Sequence, residues 1–171
     1  MENENQDVEF TYEIVNAKLR PIAEKLVEKF DELHHIDVEK VLFVLNYKSA
    51  KNKRRITLAH TARVPEKWAQ LLYQLGGYNY KFVIEVYAKT TAAFDESQMV
   101  ALLYRELRRI GMNGEILTPD VHDWWQMLMG LGRKWFYPDV SCPNLLDDEN
   151  SWQKLMGSYY NPEELAEQEG E

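Results

Sequence analysis

The chain predicts an α+β fold in one domain, and three observations carry that reading. Strand-like runs at residues 41–47, 56–62 and 80–87 are separated by segments whose apolar residues recur at helical spacing. Hydrophobic residues make up 45% of the 171, with no long low-complexity segment, which suits a single ordinary core. The stretch 95–125, DESQMVALLYRELRRIGMNGEILTPDVHDWW, joins one strong helical pattern to a glycine-containing turn and a second helix start. We expect residues 1–160 to form the domain and 161–171 to be an acidic, mobile tail.

Taken in order, residues 12–33 place Val15, Leu19, Ile22, Leu26, Phe30 and Leu33 on one helical stripe. Pro21 interrupts it, which predicts a short helix, a kink near Arg20 and a longer helix onward. His34 and His35 follow. As sequence neighbours they face different ways, and a polar helix end explains them better than a metal. Residues 41–47 alternate Val41, Phe43 and Leu45 against Leu42, Val44 and Asn46, as a strand covered on much of both faces does. Residues 56–62 read as its partner, with His60 a structural residue. The basic run 48–55, KSAKNKRR, lies between the two and reads as a solvated hairpin loop.

Pro65 opens an amphipathic helix with Trp68, Leu71, Leu72 and Leu75 on one stripe, expected in the core, and Gly76-Gly77 ends it. Residues 80–87 set Phe82, Ile84 and Val86 against Val83, Glu85 and Tyr87 as a third strand. In the following helix Asp95 and Gln98 form a capping-box-like start, and Gly111 suits a left-handed stop. Val100, Leu103, Leu107 and Ile110 form the buried stripe, while Arg105, Glu106, Arg108 and Arg109 lie on the presented side. Residues 118–120 start a further helix with Val121, Trp124, Trp125, Leu128 and Leu131 as its stripe. Trp124 and Trp125 are adjacent and cannot both face the core, so the exposed one is a candidate interface anchor. Ser151 onward offers a short amphipathic helix with Trp152, Leu155, Met156 and Tyr159.

The segment Arg105-Glu106-Leu107-Arg108-Arg109-Ile110, the turn with Gly111 and Gly114, and then His122-Asp123-Trp124 resemble the phage metallopeptidases of the zincin class. The pattern in that family is His-Glu-Leu-x-His-Ile, a glycine turn, and His-Asp before an aromatic residue. By element order the resemblance covers about residues 12–135. It implies a zincin-like α+β fold: a small mixed β-sheet packed against helices, one of them the central, former active-site helix. It also implies that the strand at 80–87 runs along the cleft, with Glu85 and Tyr87 near the site.

Both histidines of the helix are arginine here. Imidazoles at positions i and i+4 would supply two zinc ligands on one face, with the Glu between them as general base. A guanidinium stays protonated, offers donors only and repels a cation. Glu106 keeps the base position and His122 the third-ligand position, which is too little for a strong zinc site. No catalytic residue is therefore assigned beyond Glu106 as a relic, and no cofactor is expected. Zinc stays possible through a different set, His122, Cys142, Asp139 and Glu106, if residues 136–144 fold back over the site.

Two readings of Arg105 and Arg109 remain open. They pair with Glu106, Asp120 or Asp123 where a metal would have sat. Otherwise, with Arg108, they form an exposed fork for a carboxylate or phosphate of a partner, beside Trp124 and Trp125.

Net charge of −8 argues against direct nucleic-acid binding. No apolar run approaches the length that spans a bilayer, the N-terminal residues do not resemble a signal peptide, and the single Cys142 rules out an intrachain disulfide, which together predict a cytoplasmic protein. There is no phosphate loop or nucleophile elbow. The expected function is a phage-derived, inactive metallopeptidase-like protein that binds a host protein. An inhibitor of a defence nuclease, as anti-CRISPR proteins are, suits its acidity. The alternatives are a zinc-binding protein or residual zinc metallopeptidase, and a phage structural or assembly protein.

Overall fold

The computed structural model describes residues 10–48, 56–119 and 123–157. Among these, the elements run β1 (Tyr12–Ile14), α1 (Asn16–Lys29), β2 (Val41–Asn46), β3 (Ala59–Arg63), α2 (Glu66–Gly76), β4 (Phe82–Tyr87), α3 (Glu96–Leu107), α4 (Trp125–Gly130) and α5 (Trp152–Met156). The strands form one mixed sheet in the order β1-β2-β4-β3. β2 and β4 are parallel at its centre, and β1 and β3 pair antiparallel at its edges. The expected α+β fold with a small mixed sheet packed on helices is the observed one.

Two expectations about the sheet are corrected. β3 pairs with β4, not with β2, so the basic segment between β2 and β3 does not join adjacent strands. Residues 49–55 of that segment lie outside the described residues. Residues 12–14 form an edge strand instead of the first helical turn, because their backbone completes the ladder beside β2. The helix then starts at Asn16, whose side chain fixes it to the sheet: Oδ1 accepts from the Phe43 amide at 2.8 Å and Nδ2 donates to the Tyr80 hydroxyl at 2.8 Å. Helix α1 continues through Pro21 without a restart.

The core fills the space between one sheet face and α1 and α3. Val41, Phe43, Ala59, Ile84 and Val86 of the sheet are buried with Leu19, Ala23 and Leu26 of α1 and Val100, Leu103 and Leu107 of α3. Residues of the opposite sheet face, among them Leu42, Val44, Val83, Glu85 and Tyr87, are only half-buried. Glu85 accepts from the Asn46 amide nitrogen there, at 2.5 Å.

Helix α3 is fully specified at its start. Asp95 Oδ1 accepts from the Gln98 amide at 2.8 Å, and Gln98 Oε1 accepts from the Asp95 amide at 3.1 Å. Gln98 is itself buried, and its Nε2 donates to the carbonyls of Trp135 and Tyr137. These bonds tie the segment after α4 to the beginning of α3. At the other end the left-handed residue is Gly114 at φ +76°, not Gly111. A Cβ on Gly111 would meet the Glu115 carboxyl at 2.4 Å, the end of an exposed side chain that would have to turn aside.

Helix α2 departs from expectation. It is amphipathic and ends at left-handed Gly77 as predicted, yet none of its residues is buried. Trp68, Leu71 and Leu75 are exposed and Leu72 is half-buried. The helix at residue 125 also begins later than residue 118, with Trp124 as its N-cap. No helix among the described residues is long and apolar enough to cross a membrane.

Candidate functional site

The last turn of α3 carries Arg105 and Glu106, Arg108 caps it and Arg109 follows, and the centre of this cluster is closed. Glu106 is completely buried, contrary to its expected place on a presented face. Both carboxylate oxygens are engaged: Oε1 accepts from Arg105 Nη1 at 2.8 Å, and Oε2 from the Thr61 hydroxyl at 2.7 Å. Thr61 reaches it because β3 alternates Ala59 and Thr61 inward with His60 outward. A threonine on the inward phase of an edge strand was the only sequence signal for this contact.

Arg105 turns inward between two carboxylates. Its Nε donates to Asp123 Oδ1 at 3.2 Å in addition to the bond to Glu106. Asp123 is buried in turn, and it accepts from the Trp135 indole at 2.9 Å and from the Trp124 amide at 3.0 Å. Trp124 closes the ring by donating its indole N–H to the Arg105 carbonyl at 2.9 Å. Three segments distant in sequence, β3, α3 and residues 123–135, thus meet on one ion-paired core.

Arg108 belongs to a neighbouring cluster. It donates to Gln126 Oε1 at 2.5 Å and to the Tyr104 hydroxyl at 3.3 Å, and lies over the Trp124 ring at 4.8 Å. The Tyr104 hydroxyl also donates to Glu32 and accepts from the Trp152 indole. Burial, then the Glu32 carboxylate, holds the Tyr104 phenol far above its usual range. Arg109, one turn beyond Arg105, differs from both. Its Nε is sealed from solvent and has no hydrogen-bond partner among the described residues. Asp120 and His122 lie outside the described residues.

Trp124 is in the core and Trp125 is exposed, so of this adjacent pair Trp125 is the one that offers an open aromatic surface. Cys142 is buried beside Asp95, and burial pushes its thiol up to about 11. It therefore sits near the start of α3, whereas Glu106 is eleven residues further on, about 16 Å along the helix. The structure does not bring these two zinc candidates together, and Asp139 is exposed. No group of three His, Cys, Asp or Glu able to hold a metal occurs among the described residues.

His35 contacts the Ile110 carbonyl at 2.7 Å, and His34 the Glu28 carbonyl at 3.2 Å, both as structural residues. Glu85 and Tyr87 face away from Glu106: they share the sheet face opposite Ile84, the cross-strand partner of Thr61. The expectation that they sit near the site is corrected accordingly.

The described residues of this centre do not fit zinc. Arg105 offers donors only, and Glu106 is completely buried, with each oxygen already accepting a hydrogen bond from the protein. No curated protein and no solved structure matches the chain. The family described as Putative phage metallopeptidase matches residues 10–160, which extends well past residue 135 and includes α4 and α5. The chain belongs to the phage metallopeptidase family.

Proposed function

We propose that this member of the family has lost peptidase chemistry and acts by binding another protein. The observation that carries the reading is the complete burial of Glu106 with both carboxylate oxygens engaged. A general base must come within hydrogen-bond reach of the water it activates. Glu106 is buried, with one oxygen held by Arg105 and the other by Thr61. Arg105 supplies internally the positive charge that a metal brings in a working zincin. The family's active centre has become a stabilising ion pair.

The partner class is a host nucleic-acid-binding enzyme of a defence system, approached through its basic surface. The support is electrostatic: a small chain with net charge −8 competes with nucleic acid for such a surface. Trp125 is the exposed aromatic anchor, beside a helix end rich in arginine.

Elemental analysis of the full-length protein, purified without chelator, tests the loss of chemistry. Wild type is expected to hold no stoichiometric zinc, and the Arg105→His, Arg109→His double variant to take it up. Stoichiometric zinc in wild type would overturn the reading. For the partner, affinity capture from host lysate is expected to recover a nucleic-acid-binding enzyme that duplex DNA displaces. Recovery without displacement by DNA removes the proposed mode of inhibition.

A further inference from the structure

A cleft of about 430 Å³ lies away from α3, lined by Arg20, Asp37, Glu39, Lys40 and residues 77–80. Arg20 is its unexplained member. Its Nε and Nη2 are sealed from solvent, and neither has a hydrogen-bond partner among the described residues. These two N–H groups lie on one edge of the guanidinium, the edge that grips both oxygens of a carboxylate side-on. A guanidinium edge that has lost its water without gaining an acceptor is costly, and the cost is recovered when an acceptor arrives.

The acidic residues of the cleft do not fill that role. Asp37 is ion-paired with Lys40 at 2.5 Å, and no ion pair joins Arg20 to Glu39 or Glu24. Across the lining, Arg20 and Lys40 balance Asp37 and Glu39. With the lining neutral overall, nothing in it repays the larger desolvation cost of a dianion such as phosphate, which favours a monoanion. The remaining wall is Gly77, Asn79 and two tyrosines. Tyr78 and Tyr80 stack with ring centroids 5.7 Å apart and planes 7° from parallel. Tyr80 is held by Asn16, while Tyr78 is exposed on the turn after left-handed Gly77.

We propose that this cleft binds a carboxylate carried on an apolar or aromatic body, with Arg20 Nε and Nη2 gripping the carboxylate and Tyr78 flanking the body. Since the two N–H groups are closed to solvent as the cleft stands, binding turns a lining side chain aside. A single bidentate pair with one partly covered ring gives dissociation constants in the millimolar range.

The test is a titration of the ¹⁵N-labelled full-length protein, read at the Arg20 Nε–H resonance. The probes are phenylacetate, N-acetylphenylalanine, its amide and inorganic phosphate. Both carboxylates are expected to shift the resonance to saturation, and the amide to leave it unmoved. Tighter binding of N-acetylphenylalanine supports a peptide C terminus as the source, and tighter binding of phenylacetate a small free acid. Arg20→Lys is expected to weaken either by on the order of tenfold, since the fork is lost and the charge kept. If that variant does not fold, the wild-type titration decides. No saturable shift, an equal shift with the amide, or tighter binding of phosphate overturns the proposal. So does Glu39→Gln if, without any probe, it moves the Arg20 resonance as far as a carboxylate does in wild type, because the acceptor is then internal.

Discussion

Helices α2 and α3 announce themselves in the sequence by the same signal, apolar residues at helical spacing, and meet opposite fates. Eight of the twelve residues of α3 are buried, Glu106 among them, while α2 buries none. The difference lies in what reaches each helix. α3 is met by β3 through Thr61 and by residues 123–137 through Asp123, Trp135 and Tyr137. α2 links the edge strand β3 to β4 and presents Trp68 and Leu75 to solvent. Amphipathicity states that a face wants cover, and tertiary structure decides whether cover comes.

The largest effect is expected where α3 is most dependent on its surroundings. Arg105→Ala leaves Glu106 and Asp123 buried without their cation and should cost about 3–5 kcal/mol, read as a lowered urea midpoint at unchanged slope. Replacing Arg105→Met together with Glu106→Leu should recover part of that loss, because Glu106 no longer has a charge to bury while Asp123 keeps the Trp124 and Trp135 donors. A double variant no more stable than Arg105→Ala would show that the pair is not what holds the centre of α3.

Trp135→Phe sharpens the same point more gently. It keeps most of the buried ring and removes only the indole N–H that Asp123 accepts, with an expected loss of about 1–3 kcal/mol. The loss should shrink in the Arg105→Ala background, since Asp123 is then already poorly held. Strict additivity in that cycle would separate Trp135 from the ion-paired centre.

These residues mark the limit of what was legible beforehand. The capping box of Asp95 and Gln98, the stop at Gly77 and the alternation in β2 and β4 are local and were readable from spacing alone. The resemblance that sets Arg105 and Arg109 against the two histidines of the metallopeptidase motif was also readable, since a motif is a local object. Glu106 was misplaced on the presented face because helical spacing gives a direction without saying how many neighbours converge on it. The role of Thr61 is not local, since it depends on β3 being an edge strand beside β4 that faces α3. The pairing of β3 with β4 across an intervening helix is likewise a long-range choice, made by the sheet and not by the two segments.

At the covered start of α3, Cys142 offers a chemical reading of the same contrast. Burial, with Asp95 nearby, raises its thiol to about 11, so the folded state keeps the proton that an unfolded thiol releases near pH 8.5. Stability from this group is present below that unfolded value and is lost as pH rises toward 11. Native labelling by a thiol reagent at pH 8 should be slow and should reach the rate of a free thiol only in denaturant. Fast native labelling would mean that residues 136–144 do not cover the start of α3 as described.

The smallest effect should come from α2. Leu75 is 83% exposed, so Leu75→Gln removes almost no buried apolar surface and is expected to change stability by less than about 0.5 kcal/mol. Leu72, half-buried on the same stripe, should cost more, and the ratio of the two measures how much of the stripe the protein itself uses. Should Leu75→Gln cost as much as Leu72→Gln, the face of α2 is covered in solution, and the contrast between the two helices disappears. If it costs nothing while Leu72→Gln costs about 1 kcal/mol or more, α2 is anchored along one edge of its apolar stripe, and Trp68, Leu71 and Leu75 form surface that the isolated chain leaves unused.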